Sequence, residues 1–118
     1  VRKILRRDLT AALKARDRVA IAALRSALAA IENADAAPAD HPIPRTVESE
    51  HIAGSVVGLG AEVEPRHLTE PDLRAIVETE VHERSIAAIG YEQAGHNDLA
   101  QRLRSEAEVL SRYLPPAW

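Results

Sequence analysis

The chain has 118 residues, a formal net charge of -3, 46% hydrophobic and 28% charged residues, and no Cys, Phe or Met. That length suits a single domain, and the lack of Cys excludes a disulfide scaffold, a thiolate zinc site and a cysteine nucleophile. No apolar run approaches the ~20 residues needed to cross a bilayer, and nothing resembles a charged leader followed by a short apolar block. A protein of the cytoplasm is expected, and the start at Val1 suggests that a few residues precede it.

The hydrophobic fraction holds 22 Ala against 12 Leu, 8 Ile and 9 Val. Ala has the highest helix propensity but buries little, so the expectation is a thin core between closely packed helices rather than a sheet. Charge is unevenly spread. Residues 1–34 carry +5, while 35–68 and 69–118 each carry -4. The basic end is the electrostatic hint of a nucleic-acid partner.

Residues 2–16 place Leu5, Leu9, Ala12 and Leu13 on one helical face. Lys3, Arg7 and Lys14 fall together on the opposite face, as a solvated surface or a grip for phosphates. Asp17 can cap a second helix, in which Ile21, Leu24, Leu28 and Ile31 repeat to about Ala34. A single bent helix over 2–34 also fits this pattern. Residues 35–68 then change character, with Pro38, Pro42, Pro44 and Pro65 and Gly54, Gly58 and Gly60. The prolines break helical continuity, so a long connection is expected. The apolar strip from His51 to Leu59 reads as a short helix or an extended strip.

Thr69-Glu70-Pro71-Asp72 is a helix start, with Thr69 as cap and acids at the positive end of the dipole. Leu73, Ile76, Val77, Val81, Ala88 and Tyr91 form the stripe that follows, and Gly95 suits the left-handed closing position. Asn97 is expected to cap a last helix with Leu99, Leu103, Ala107, Leu110 and Leu114 on its face, stopped by Pro115-Pro116. The predicted fold is all-α, a small antiparallel bundle of about four helices, roughly 2–16, 17–34, 70–94 and 97–114, with the Pro/Gly-containing connection 35–68.

Glu80 and Arg84 sit on the apolar stripe of the third helix, one turn apart, and Glu106 is similarly placed on the fourth. One reading is an interhelical polar network in which Arg84 bridges to Glu106 and pairs with Glu80. The other is a polar pocket that contacts a ligand or partner. No nucleophile or oxyanion site accompanies the carboxylates, so no catalytic residue is expected. The five His do not form a metal pattern, and Gly54, Gly58 and Gly60 are not in phosphate-cradling order. Neither a cofactor nor a small-molecule substrate is expected. Trp118, after the two prolines, either anchors the tail or hangs free.

Several segments together resemble the YqeY proteins: Leu13-Lys14-Ala15-Arg16-Asp17, Leu24-Arg25 with Ala30-Ile31-Glu32-Asn33-Ala34, Val81 with Arg84, Tyr91-Glu92-Gln93-Ala94-Gly95 with Asp98-Leu99-Ala100, and Glu106-Ala107-Glu108-Val109-Leu110 before Tyr113-Leu114-Pro115. The resemblance runs over about 3–34 and 69–116. It implies a small bacterial helical module of the GatB/YqeY family, related to the C-terminal region of the glutamyl/aspartyl-tRNA amidotransferase B subunit, which helps hold tRNA. A label of carbon-nitrogen ligase with glutamine as amido-N-donor attaches by family association, since the catalytic machinery lies outside the related region. The resemblance adds Arg25 to the polar network of Glu80, Arg84 and Glu106.

The sequence departs from the family pattern in three places. It stops three residues after Pro115, where relatives continue into a small helical tail domain. The connection 35–68 is longer than usual, and His96 stands where a basic residue is common. Two functions follow as expectations: a non-catalytic tRNA-associated accessory module, or a helical protein–protein interaction module without nucleic-acid binding. No membrane partner is expected in either case.

Overall fold

The computed structural model describes residues 1–37 and 67–116. Those residues form four α-helices and no strand: α1 (Arg2–Ala15), α2 (Arg18–Ala36), α3 (Glu70–Gln93) and α4 (Asn97–Ser111). The result is a compact all-α bundle. Residues Val1–Glu32 and Thr69–Trp118 make one compact unit, and Asn33–Leu68 make a second. Of the second, the described residues are the end of α2, Ala37, and His67–Leu68. The strip from His51 to Leu59 and Trp118 lie outside the described residues.

In α1, Leu5 is fully buried and Ala12 nearly so, while Leu9 is half-buried. Leu13, expected on this face, is 44% exposed because it falls in the last turn, beside the corner that ends the helix. That corner breaks 2–34 into two helices. The Asp17 N–H donates to the Ala12 carbonyl at 3.0 Å and the Arg16 N–H to the Leu13 carbonyl at 3.2 Å, which is a Schellman closure. Arg16 occupies its left-handed position, at φ 57°. Asp17 then caps α2, its carboxylate accepting from the Ala20 N–H at 3.1 Å.

The inner face of α2 is broad: Ala20, Ala23, Leu24, Ala27, Leu28 and Ile31 are all buried. Its alanines let a neighbouring helix approach closely, while Leu24 and Ile31 supply roughly 1.5–3 kcal/mol each of burial. The helix runs two residues beyond the expected Ala34, to Ala36. It stops there because Pro38 disfavours a helical conformation in the residue before it.

α3 opens on a complete capping box. Thr69 Oγ1 accepts from the Asp72 N–H at 3.2 Å, and the Asp72 carboxylate accepts from the Thr69 N–H at 3.0 Å. Leu73, Val77 and Ala88 are buried. Tyr91, expected on the core stripe, is instead 41% exposed, with its ring edge-on to His96 at 6.2 Å. A second Schellman closure ends α3, with the His96 N–H donating to the Tyr91 carbonyl at 2.8 Å and the Gly95 N–H to the Glu92 carbonyl at 3.0 Å. Gly95 takes the left-handed position at φ 86°.

Because that closure leaves His96 as the half-helical residue, the N-cap of α4 is His96 and not Asn97, and its side chain makes no capping bond. Ala100, Ala107 and Leu110 face the core, whereas Leu99, in the first turn, is 44% exposed. α4 ends at Ser111, short of the expected Leu114, and closes in a turn in which the Tyr113 N–H donates to Leu110 and the Leu114 N–H to Ser111. Pro115 biases Leu114 away from helix and so ends the helix early.

Candidate interaction sites

Three helices meet at Arg84. Its Nη1 donates to Glu80 Oε1 at 2.8 Å, one turn back on α3, and to the Glu80 backbone carbonyl at 3.3 Å. Its Nε donates to Glu106 Oε1 on α4 at 3.0 Å. Ser26, on α2, completes the cluster by donating its hydroxyl to Glu80 Oε1 at 2.7 Å. The Arg84 and Glu80 side chains are 14% exposed and that of Glu106 10%.

Burial alone would disfavour the charged guanidinium. The hydrogen bonds to Glu106 and Glu80 outweigh it and hold the Arg84 pKa above its ordinary value. Every member of the cluster has a partner, as a charge this far from water requires. Glu80, Arg84 and Glu106 are therefore brought together. Arg25 is not: it is exposed on the outer side of α2 and makes no ion pair among the described residues. Ser26 was missed in the sequence. Its signal was faint, a single hydroxyl spaced i+3 from Ala23 and i-4 from Ala30 along an otherwise apolar face.

The second arrangement is cationic. Lys3, Arg7 and Lys14 are all exposed on α1. Arg7 is partly neutralised, its Nε donating to Asp8 Oδ1 at 3.2 Å. The Tyr113 hydroxyl donates to the other Asp8 oxygen and so ties the turn after α4 to α1. That bond is the main reason the Asp8 pKa is lowered, against burial, which raises it, and with lesser help from Arg7. The Tyr113 pKa is raised, by burial first and by the Asp8 carboxylate second.

Sequence reasoning missed three further cations, Arg6, Arg16 and Arg18, all exposed. None of Lys3, Arg6, Lys14, Arg16 and Arg18 has an ion pair among the described residues. Lys3, Arg6 and Lys14 lie on the outward side of α1, and Arg16 and Arg18 carry the line around the corner into α2. The left-handed Arg16 has no signal in the sequence, because Gly or Asn is the usual residue for that conformation.

Among the described residues, no group of three or more His, Asp or Glu could hold a metal ion, and no helix is long and apolar enough to cross a membrane. Among the described residues, fold and surfaces together define an all-helical unit with a buried polar tie at Arg84 and an exposed cationic face on α1. The chain belongs to the YqeY-like family: the family model described as Yqey-like protein matches residues 52–118, just over half of the sequence. The match takes in α3, α4 and the Arg84–Glu106 pair, while α1 and α2, with the resemblance read over 3–34, precede it. No curated protein and no solved structure gives a match.

Proposed function

We propose that this protein is a non-catalytic accessory module that associates with tRNA through the cationic face of α1, centred on Lys3, Arg7 and Lys14. The observation that carries the reading is the concentration of exposed cations in α1 and its corner, where Lys3, Arg6, Lys14, Arg16 and Arg18 have no acidic partner among the described residues. Unpaired exposed cations of one sign set up a field that attracts a polyanion. The tRNA part of the reading rests on the resemblance of the helical segments to the tRNA-holding region of the amidotransferase B subunit. The amidation label stays with that relative. Arg25, Glu80, Arg84 and Glu106 are assigned no substrate, and the last three serve the architecture of the bundle.

A fluorescence titration against tRNA at two salt concentrations tests this. Binding dominated by phosphate contacts weakens steeply with salt, and an absence of binding at low salt removes the proposal. The alternative, a protein-interaction module, is favoured by Ile86 and Ile89 on α3, which are 55% and 51% exposed. Copurification from a bacterial lysate with and without nuclease separates the two, since partners lost only on nuclease treatment favour tRNA.

A further inference from the structure

We propose that the α1–α2 corner, formed by Lys14, Arg16 and Arg18, is the principal phosphate contact of the cationic face, and that Arg16 is placed there for its charge and not for its fit to the turn. The inference rests on the nucleic-acid reading and says where on the face the contact is made.

The same backbone closure occurs twice among the described residues. After α3 it is filled by Gly95, at φ 86°, which has no Cβ to strain. After α1 it is filled by Arg16, at φ 57°, which among the described residues is the one non-glycine with positive φ. A side chain in this conformation is disfavoured by contact between Cβ and the carbonyl, so a residue that served only the turn would be Gly or Asn. Nor does the Arg16 side chain hold the corner together, because it is exposed and bonds to nothing described. What it adds is a planar guanidinium projecting from a turn, with paired N–H groups suited to the oxygens of a phosphate.

Its surroundings match that use. Lys14 and Arg18 flank it, exposed and without ion pairs among the described residues. The acid in the corner is Asp17, whose Oδ1 is engaged by the Ala20 N–H, so the cluster keeps an excess of two positive charges. From the corner the cations continue back along α1 through Arg6 to Lys3, roughly 17 Å at 1.5 Å per residue. An extended line of cations suits a strand with successive phosphates at about 3.4 Å of axial rise. A short acidic peptide would use only part of it.

The test compares wild type, Arg16→Gly and Arg102→Ala by titration with bulk tRNA at low salt, alongside thermal melts of the same proteins and of Arg16→Asn. Arg102 is an exposed arginine on α4 without an ion pair among the described residues, so its removal matches the charge change elsewhere on the surface. The expected result is a loss of roughly five- to tenfold in affinity for Arg16→Gly, with a melting temperature that holds or rises by a few degrees. Arg102→Ala should stay within about twofold of wild type.

If wild type binds and the two variants lose affinity equally, or neither loses any, the corner assignment is overturned while the nucleic-acid reading stands. If wild type does not bind, that reading itself fails. A melting temperature that falls in Arg16→Gly and in Arg16→Asn alike shows that the arginine is needed by the turn, and this too overturns the inference. Equal binding of poly-glutamate and tRNA by wild type would overturn it in favour of a protein contact.

Discussion

The hairpin of α3 and α4 and the corner between α1 and α2 turn on the same closure, yet they are built differently around it. α3 and α4 are joined by Gly95 and tied along their length by two ion pairs, Arg84 to Glu106 at 3.0 Å and Arg104 to Glu92 at 2.7 Å. α1 and α2 have an arginine at the corner, buried apolar residues Leu5, Leu24 and Ile31, and exposed cations of which Lys3, Arg6, Lys14, Arg16 and Arg18 meet no acid among the described residues. At Arg84 charge is spent inward on holding the hairpin, while along α1 and its corner it is left available. A residue's charge therefore says little about its role until its partners are known, and Arg84 and Arg16 mark the two extremes.

The largest expected effect comes from breaking the inward tie. Arg84→Leu leaves Glu80 and Glu106 without a counter-charge in surroundings 10–14% exposed, and should destabilise by about 2–4 kcal/mol in chemical denaturation. Substituting all three by Leu should recover much of that loss, because the penalty is the stranded charge and not the missing bond.

The two corners should respond with opposite signs. Gly95→Ala should cost about 1 kcal/mol. The added Cβ would meet nothing within 4 Å, so the loss is purely conformational. Arg16→Gly should gain up to a similar amount. Thermal melts would show each as a shift of roughly 4–8 °C per kcal/mol for a domain of this size.

Tyr113→Phe removes the tie from the C-terminal turn to α1 and should cost about 0.5–1 kcal/mol at neutral pH. Its pH dependence has a defined sign. The Asp8 pKa lies below 3.8 in the folded protein, so its stabilisation is full above that value and is lost as pH falls through the folded pKa. The Tyr113 pKa lies above 10.0, so its contribution is full below that value and is lost as pH rises through the folded pKa. In Tyr113→Phe the alkaline loss should vanish and the acid loss become shallower, as read from melts across the pH range. Smallest of all, Glu92→Ala should change stability by less than about 0.5 kcal/mol, since that pair is 54% and 41% exposed.

Much of the architecture was legible because helix periodicity and capping act locally. Thr69 and Asp72 cap α3 and Gly95 closes it, each from residues within a few positions of one another. Asn97 shows where that locality ends. It is a good cap in isolation, but the closure at Gly95 sets the backbone one residue earlier and gives the position to His96. The facing of Glu80, Arg84 and Glu106 follows from stripe arithmetic on two helices joined by a short hinge. Ser26 reaches Glu80 across 54 residues of sequence, a contact that no local pattern encodes. Arg25, its neighbour, is exposed, because one residue is about 100° around the helix and that carries it off the packed face. Arg16 was hidden for the opposite reason, since its backbone conformation runs against its residue type.

The most direct measurement exchanges the two corner residues in one protein, Arg16→Gly with Gly95→Arg, and compares its tRNA affinity with wild type at low salt. Net charge and the number of left-handed arginines are unchanged, so only the place of one guanidinium differs. The account predicts affinity reduced to that of Arg16→Gly alone, with stability near wild type. Wild-type affinity in the exchanged protein would contradict it.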